Sequence, residues 1–450
     1  MSDPLRIRNF TSQPISLKVV ERHEAPRPTG LSTFTRNVTS LVSNSTNTKV
    51  PDANAFTRED VDIPIAPFTT AATEIRPAGP NEDDVLRLTL ETNGQQYRID
   101  THAVSRPGSA LVPVTDDHAA QQFTGVYALS ASTLAIFPST DSAAWMSHLS
   151  DRLPITALSI PGTHNSPTHH RALPSVRCQS VPVRTQLDNG VRFLDIRVQP
   201  ASPDDPSKDT LFLVHGVFPI SLTGPKHFRP LLDDVYAFLA ANPSETVLLS
   251  LKREGPGNAT DAQLSRILAD HYADDRLLLA PTPPTLGAAR GKVVLIRRFG
   301  LAEGIPEQGV DAANWAYNTP CDDRGVINVQ DFCEVLEPAS IASKITYSCE
   351  QLGRSAGCKC NPDDEGSAPP PLYLNFLSAS NFWHVGCWPD KIAAQVSPAV
   401  VRYLCTEHGG GEGDGSAGVV VCDWVGDEGD WDLVRCIVGC NARLAERWPR

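Results

Sequence analysis

From Trp145 onward the chain alternates short apolar runs with stretches whose apolar residues repeat at helical spacing. The runs are Ala157–Ile160, Phe193–Val198, Leu211–His215, Thr246–Lys252, Lys292–Arg298, Val326–Gln330, Leu372–Leu377 and Gly418–Trp424. Helical spacing occupies Val183–Asn189, His227–Ala241, Ala262–Asp275, Lys391–His408 and Trp431–Ala445. Strands that are apolar throughout are buried on both faces, as in a parallel sheet covered by helices. Eight of them predict an α/β fold, a TIM-type (β/α)8 barrel over residues 141–450, irregular where connections fall short of a full helix. Two low-complexity stretches, Cys358–Pro371 and Gly409–Gly418, read as surface excursions.

The first 140 residues have a different texture. Short alternating runs occur at Arg6–Phe10, Ile15–Glu21, Leu86–Glu91, Gln96–Asp100, Val126–Leu129 and Leu134–Pro138. Asn93-Gly94 between the third and fourth predicts a two-residue hairpin. Pro- and Ser/Thr-rich segments, Thr39–Asp52 and Ile63–Pro80, separate the runs and read as long loops. This portion is expected to be a small all-β, sandwich-like accessory domain over residues 1–140. His23, His102 and His118 are scattered along it and read as solvated or capping side chains.

Composition narrows the function classes. A hydrophobic content of 41% and a charged content of 20% are those of ordinary globular proteins, and 450 residues suit two domains. With a net charge of −13 and no Lys/Arg-rich run, nucleic acid is not an expected partner. No apolar run approaches the roughly 18 residues of a membrane-spanning helix. The opening Met1-Ser2-Asp3-Pro4-Leu5-Arg6 lacks the apolar core of a secretory signal. A cytoplasmic location is therefore expected. Among 11 cysteines, Cys358-x-Cys360 and Cys436-x3-Cys440 have no partners at zinc-ligand spacing, and the set reads as reduced thiols.

Chemistry gathers at the carboxyl ends of the predicted strands, where barrel active sites sit. His164 follows strand one within Ser159–Ser166, Asp195 and Arg197 end strand two, and His215 ends strand three. Lys252 and Arg298 end strands four and five, Asp331 follows strand six, and Asp423 ends strand eight. Two imidazoles beside a guanidinium suit phosphodiester cleavage. One imidazole takes a proton from an attacking hydroxyl, the other protonates the leaving oxygen, and the guanidinium binds the phosphate. A carboxylate behind the first imidazole fixes its tautomer.

The segments Leu158–His164, Gly190–Arg197 and Val214-His215-Gly216, with weaker echoes through Val421–Trp424, resemble phosphatidylinositol-specific phospholipases C of the bacterial, metal-independent type. The resemblance runs from Trp145 to about Trp431 and leaves the β region outside. It implies His164 as the base acting on the inositol 2-hydroxyl, paired with Asp423. It also implies His215 as the acid for the diacylglycerol leaving group, supported by Asp195, with Arg197 on the phosphate and a cyclic inositol phosphate as first product. Asn165, Lys252, Arg298 and Asp331 match substrate-contacting positions. Calcium-using relatives carry acidic ligands where this chain has Arg197 and Lys252, so no metal and no other cofactor is expected. The implied partner is a phospholipid at a membrane surface.

Two positions depart from the bacterial pattern. Asn165 stands where an aspartate is usual, and Cys333 stands two residues beyond Asp331, where a tyrosine stacks on the sugar. They keep open an alternative, a catalytically weak or inactive barrel that binds lipid or protein. A glycerophosphodiester phosphodiesterase would share the barrel, but its motif places His-Arg-Gly at strand one. Asn381–Trp388 is an aromatic loop that either dips into a bilayer interface or folds back on the core, and His169 and His170 read as rim residues.

Overall fold

The computed structural model describes residues 3–23, 57–79, 81–115, 121–202, 205, 207–364, 366, 368–409 and 411–450. The chain divides into two compact units, Met1–Ile136 and Phe137–Arg450.

In the first unit, one five-stranded sheet runs in the order Thr70–Ala72, Arg6–Asn9, Thr133–Pro138, Phe123–Ala128, Ser109–Ala110. The second runs Thr57–Ile65, Ile15–His23, Val85–Thr92, Gln95–His102, Val112–Pro113. Alternate residues of both sheets, among them Ile7, Leu17, Leu86, Leu88, Leu90, Ile99 and Leu134, share one core. The predicted hairpin forms, with Thr92 opposite Gln95 and positive φ at both Asn93 (51°) and Gly94 (75°). Ile63–Pro80, expected as a loop, instead carries the end of one strand and the whole of another. Thr57–Ile65 is an exposed edge strand, so it lacks the apolar alternation that marks a buried one, and Pro64 is tolerated there. The expected Thr39–Asp52 loop lies outside the described residues.

The second unit is built on parallel strands β1 (Ile160–Thr163), β2 (Phe193–Pro200), β4 (Val247–Arg253), β5 (Val293–Arg298), β6 (Ile327–Asp331), β7 (Leu372–Phe376) and β8 (Val419–Cys422), in the order β5-β4-β2-β1-β8-β7-β6. No ladder joins β5 to β6 among the described residues, so the sheet is open. It nevertheless curls: Phe193, Leu248, Val294, Val329, Leu374 and Val421 from both its ends share one core.

The third predicted strand is corrected. β3 (Leu211–His215) does not insert between β2 and β4, which pair directly, Asp195 opposite Ser250. It turns back antiparallel along the end of β2, Val198 opposite Leu213. Only residues 201–210 link the two strands, too few for the dozen or more a parallel crossover needs. In place of the expected eight-strand barrel, seven of the predicted strands run parallel in an open, curled sheet, with the short strands Leu277–Leu278 and Val310–Asp311 added in parallel beside β5.

Helices α1 (Val183–Asp188), α2 (Phe228–Ala241), α3 (Asp261–His271), α4 (Leu286–Ala289), α5 (Ile341–Ala356), α6 (Pro389–Thr406), α7 (Asp432–Gly439) and α8 (Ala442–Arg447) accompany the sheet. The single helix expected over Trp431–Ala445 is two, and Asn441 between them clamps the backbone of Ser159 by hydrogen bonds of 2.8 and 2.9 Å. That clamp sets where β1, and the histidine beyond it, begins.

Candidate active site

The turn after β1 is held by side chains. Thr163 Oγ1 and Ser166 Oγ are 2.8 Å apart, the Ser166 hydroxyl accepts the Asp195 amide at 3.0 Å, and Gln179 Nε2 donates to the His164 carbonyl at 2.8 Å. Gly162 is required by packing, because a Cβ there would meet Phe193 Cβ at 3.0 Å. Asn165 sits at φ +42°, a region asparagine tolerates better than most residues.

This turn delivers His164 to the mouth of the sheet. Its Nδ1 lies 2.9 Å from Asp423 Oδ1 and its Nε2 lies 3.1 Å from Asn165 Nδ2. A carboxylate only accepts and an amide nitrogen only donates, so neutral His164 carries its proton on Nδ1 and offers a lone pair at Nε2. Asp423 is buried; burial pushes its carboxyl upward while the His164 imidazole opposes the shift. Its Oδ2 is buried without a hydrogen-bond partner.

His215 faces His164 edge to face, ring centroids 5.7 Å apart at 88°. Its Nδ1 donates to the Val176 carbonyl at 2.9 Å. Asp195, expected to support His215, is paired elsewhere. It accepts Arg197 Nη2 at 3.1 Å, Arg298 Nη1 at 3.1 Å and the Asn165 amide at 3.2 Å. Burial alone would raise the Asp195 carboxyl, but the two guanidiniums outweigh it and hold the group well below the usual range.

Strand alternation and register explain the cationic wall. Asp195 and Arg197 are two apart on β2 and so share a face, while Arg197 pairs with Lys252 and Lys252 with Arg298 across β2, β4 and β5. Three cations stand in one row. Glu254, which the sequence reading passed over, knits it together. Its Oε1 accepts Arg197 Nη1 at 3.0 Å and Lys252 Nζ at 2.8 Å, and its Oε2 accepts the Gly216 amide at 2.8 Å. Burial would raise Glu254, yet Arg197 and Lys252 hold it at about 2. The available signal was Lys252-x-Glu254, an acid just past the strand end and two residues from the lysine.

A cavity of about 460 Å3 opens between these groups, lined by His164, Arg197, His215, Lys252, Arg298 and Asp331. Asp195, Asp423 and Asn165 stand behind this first layer. Trp315 and Tyr317, also missed from sequence, line it too. Trp315 Nε1 donates to Asp331 Oδ2 at 3.0 Å and its ring lies 4.0 Å from the Arg298 guanidinium. Tyr317 is 75% exposed, its hydroxyl donating to Glu334. His169 and His170 pack against each other, centroids 3.9 Å apart and planes tilted by 41°, and do not line this cavity.

Burial first, then Arg197 and His164, push His215 down to about 3 from its ordinary 6.5. Burial and His170 push His169 to about 4. The unfolded chain therefore takes up protons near pH 6.5 that the folded chain refuses, and stability must fall as pH drops from about 6.5 towards 3. Urea unfolding across that range should show this slope, and His215→Ala should flatten it.

The fold that carries this site is one seen in a phospholipase C. A family model described as phosphatidylinositol-specific phospholipase C, X domain, matches residues 152–299. The 1-phosphatidylinositol phosphodiesterase of Listeria monocytogenes is 30% identical over 304 residues, 62% of this chain and 80% of that protein. That of Staphylococcus aureus (strain Newman) is 25% identical over 317 residues, covering 66% and 93%. A solved structure of a double mutant of the S. aureus phosphatidylinositol-specific phospholipase C shares the fold, with a TM-score of 0.53 at 23% identity, over 66% of this chain and 97% of that one. The chain belongs to the phosphatidylinositol-specific phospholipase C family.

Proposed function

We propose that the protein cleaves a phosphatidylinositol-type phospholipid by general acid–base catalysis. His164 Nε2 takes the proton of the inositol 2-hydroxyl, whose oxygen attacks phosphorus. The bond from phosphorus to the diacylglycerol oxygen breaks, and His215 protonates that oxygen. The product is a cyclic inositol phosphate, which water opens with the two imidazoles exchanging roles. Asp423 stabilises the imidazolium that His164 becomes, and Arg197 holds the phosphate oxygens. An anionic phosphate beside His215 offsets the Arg197 charge, which after burial is the next cause of its depression, and so favours the protonated acid.

The observation that carries this reading is the perpendicular pair of imidazoles, 5.7 Å apart, lining one cavity with Arg197. Lys252, Arg298 and Asp331 contact inositol hydroxyls, and Tyr317 supplies the aromatic wall that Cys333 does not. The carboxylates Asp195 and Glu254 are already neutralised by Arg197, Arg298 and Lys252, so neither offers calcium an uncompensated oxygen. We read the second unit as an open TIM-type barrel and residues 1–140 as a sandwich-like accessory domain. A panel of phosphodiesters, assayed with and without EDTA, tests the proposal. Cyclic inositol phosphate is expected from phosphatidylinositol in EDTA. Vesicle binding with no turnover of any member would favour the non-catalytic module instead.

The rim suits an interfacial enzyme. Trp383 is 89% exposed, and beside it Phe382 stacks on Phe218 at 5.6 Å. Exposed Val217 follows the His215 turn, and exposed Leu336 joins through its carbonyl to Asn381 Nδ2. No helix among the described residues is long and apolar enough to cross a membrane. These side chains dip into the bilayer interface. Trp383→Ala is expected to weaken vesicle binding about 10-fold, the scale of ~1.5 kcal/mol for one buried apolar side chain. Turnover of a short-chain monomeric substrate should stay unchanged.

A further inference from the structure

Cys178 lies behind the imidazole pair and takes no part in the proposed reaction. It is wholly buried, with Sγ 3.8 Å from His215 Nδ1. A ring nitrogen of His164, a ring nitrogen of His215 and Cys178 Sγ all lie within 4.8 Å of one another, and no other such His/Cys/Asp/Glu trio occurs among the described residues. We propose that His164, His215 and Cys178 form an inhibitory site for a soft divalent cation of the Zn2+ class, which competes with substrate for the two imidazoles.

Geometry and donor chemistry support the assignment. Tetrahedral Zn2+ takes nitrogen at about 2.0–2.1 Å and sulfur at about 2.3 Å, which sets neighbouring ligand atoms roughly 3.3–3.6 Å apart. The ligand atoms, all within 4.8 Å of one another, close to that range with shifts of at most roughly 1.2–1.5 Å shared by three side chains. His164 already has its Nδ1–H held by Asp423, the outer-shell arrangement that supports metal-bound histidines, so Nε2 is its ligand atom. The unpartnered Asp423 Oδ2 adds negative charge that a nearby dication would offset. Two nitrogens and a thiolate select zinc-like ions over calcium or magnesium, so this site differs in kind from any oxygen-lined calcium site. On binding, Cys178 forms a metal–sulfur bond and its S–H proton leaves to solvent. The His164 lone pair that takes the substrate proton becomes a metal bond, His215 is tied to the same ion, and turnover stops. The fourth position, on the cavity side, stays open to water or a phosphate oxygen.

The inhibition readout rests on the proposed phosphodiesterase activity; metal binding does not. Untagged full-length protein would be titrated with Zn2+ during phosphatidylinositol cleavage and, separately, with Co2+ while recording the absorption of a cobalt–thiolate bond. Wild type should be inhibited reversibly, EDTA restoring activity, and should show the cobalt–thiolate band. Cys178→Ser and Cys178→Ala should turn over normally without zinc, lack the band, and need at least about 10–100-fold more zinc for half-inhibition. That range is the loss typical of even an outer-shell change. His215→Ala, which keeps the thiol, should also lose the band, so the proposal does not depend on Cys178 variants folding. Equal inhibition of wild type and both Cys178 variants, or no thiolate band in wild type, would overturn it. A band in a protein that cleaves no phospholipid would keep the metal site and sink the proposed reaction.

Discussion

Replacing His164 by alanine is expected to lower kcat for phosphatidylinositol cleavage by about 10^2–10^4-fold, the usual contribution of a positioned acid–base group. His215→Ala should cost a similar factor on the natural lipid, but the two losses differ in kind. An inositol phosphodiester with an acidic leaving alcohol needs no proton at the departing oxygen, so it should recover most of the rate lost in His215→Ala. It should recover little in His164→Ala, because the 2-hydroxyl still has to be deprotonated. The assignment rests on what stands behind each ring. Asp423 at Nδ1 stabilises the cation His164 becomes on taking a proton, whereas His215 has only the Val176 carbonyl at Nδ1 and turns its far nitrogen to the leaving group. Rescue of His164→Ala and not of His215→Ala would reverse the roles, and unchanged kcat in both would remove the mechanism.

The second large effect is expected at Arg197. Its fork meets Asp195 on one side and Glu254 on the other, which presents the guanidinium to the cavity in one orientation. Arg197→Lys keeps the charge but loses the planar pair of donors, and kcat should fall by about 10^2–10^3-fold, as when one transition-state donor is removed. Arg197→Met should fall further. Stability is a separate matter. Removing one member of a buried ion pair typically costs about 3–5 kcal/mol, but here Asp195 keeps Arg298 and Glu254 keeps Lys252, so urea unfolding of either variant should show less than that. A lysine variant within about threefold of wild type in kcat would leave Arg197 a purely structural cation, since a lost donor is worth at least ten times more.

Several elements resisted reading from the sequence for one physical reason. Helix α5 has helical periodicity in its buried face, but that face is polar: Lys344, Ser348, Gln351 and Ser355 are buried beside Leu352. Lys344 and Ser348 reach Gln330, and Gln351 reaches Asn328, so buried polar groups satisfy one another where apolar ones would have marked the helix. The edge strand Thr57–Ile65 hid in the same way, because it has little to bury.

What the sequence determined alone was the set of strands and what stands at their ends. Apolar runs buried on both faces are visible as runs, and a histidine, aspartate or arginine closing one is visible as an exception. His164, Arg197, His215, Lys252, Arg298 and Asp331 were legible on that basis, and they do line one cavity. Asp423 was legible as the charge closing the last strand, while its pairing with His164 was what the family resemblance implied. Tertiary structure alone decided who pairs with whom. Asp195 turned to Arg298 on β5, a backbone carbonyl at Val176 took the place expected for Asp195, and Glu254 and Tyr317 entered the site from strand register and a loop. Those choices depend on distances between strands far apart in the chain, and the hydrophobic pattern along one strand carries no record of its neighbours' charges.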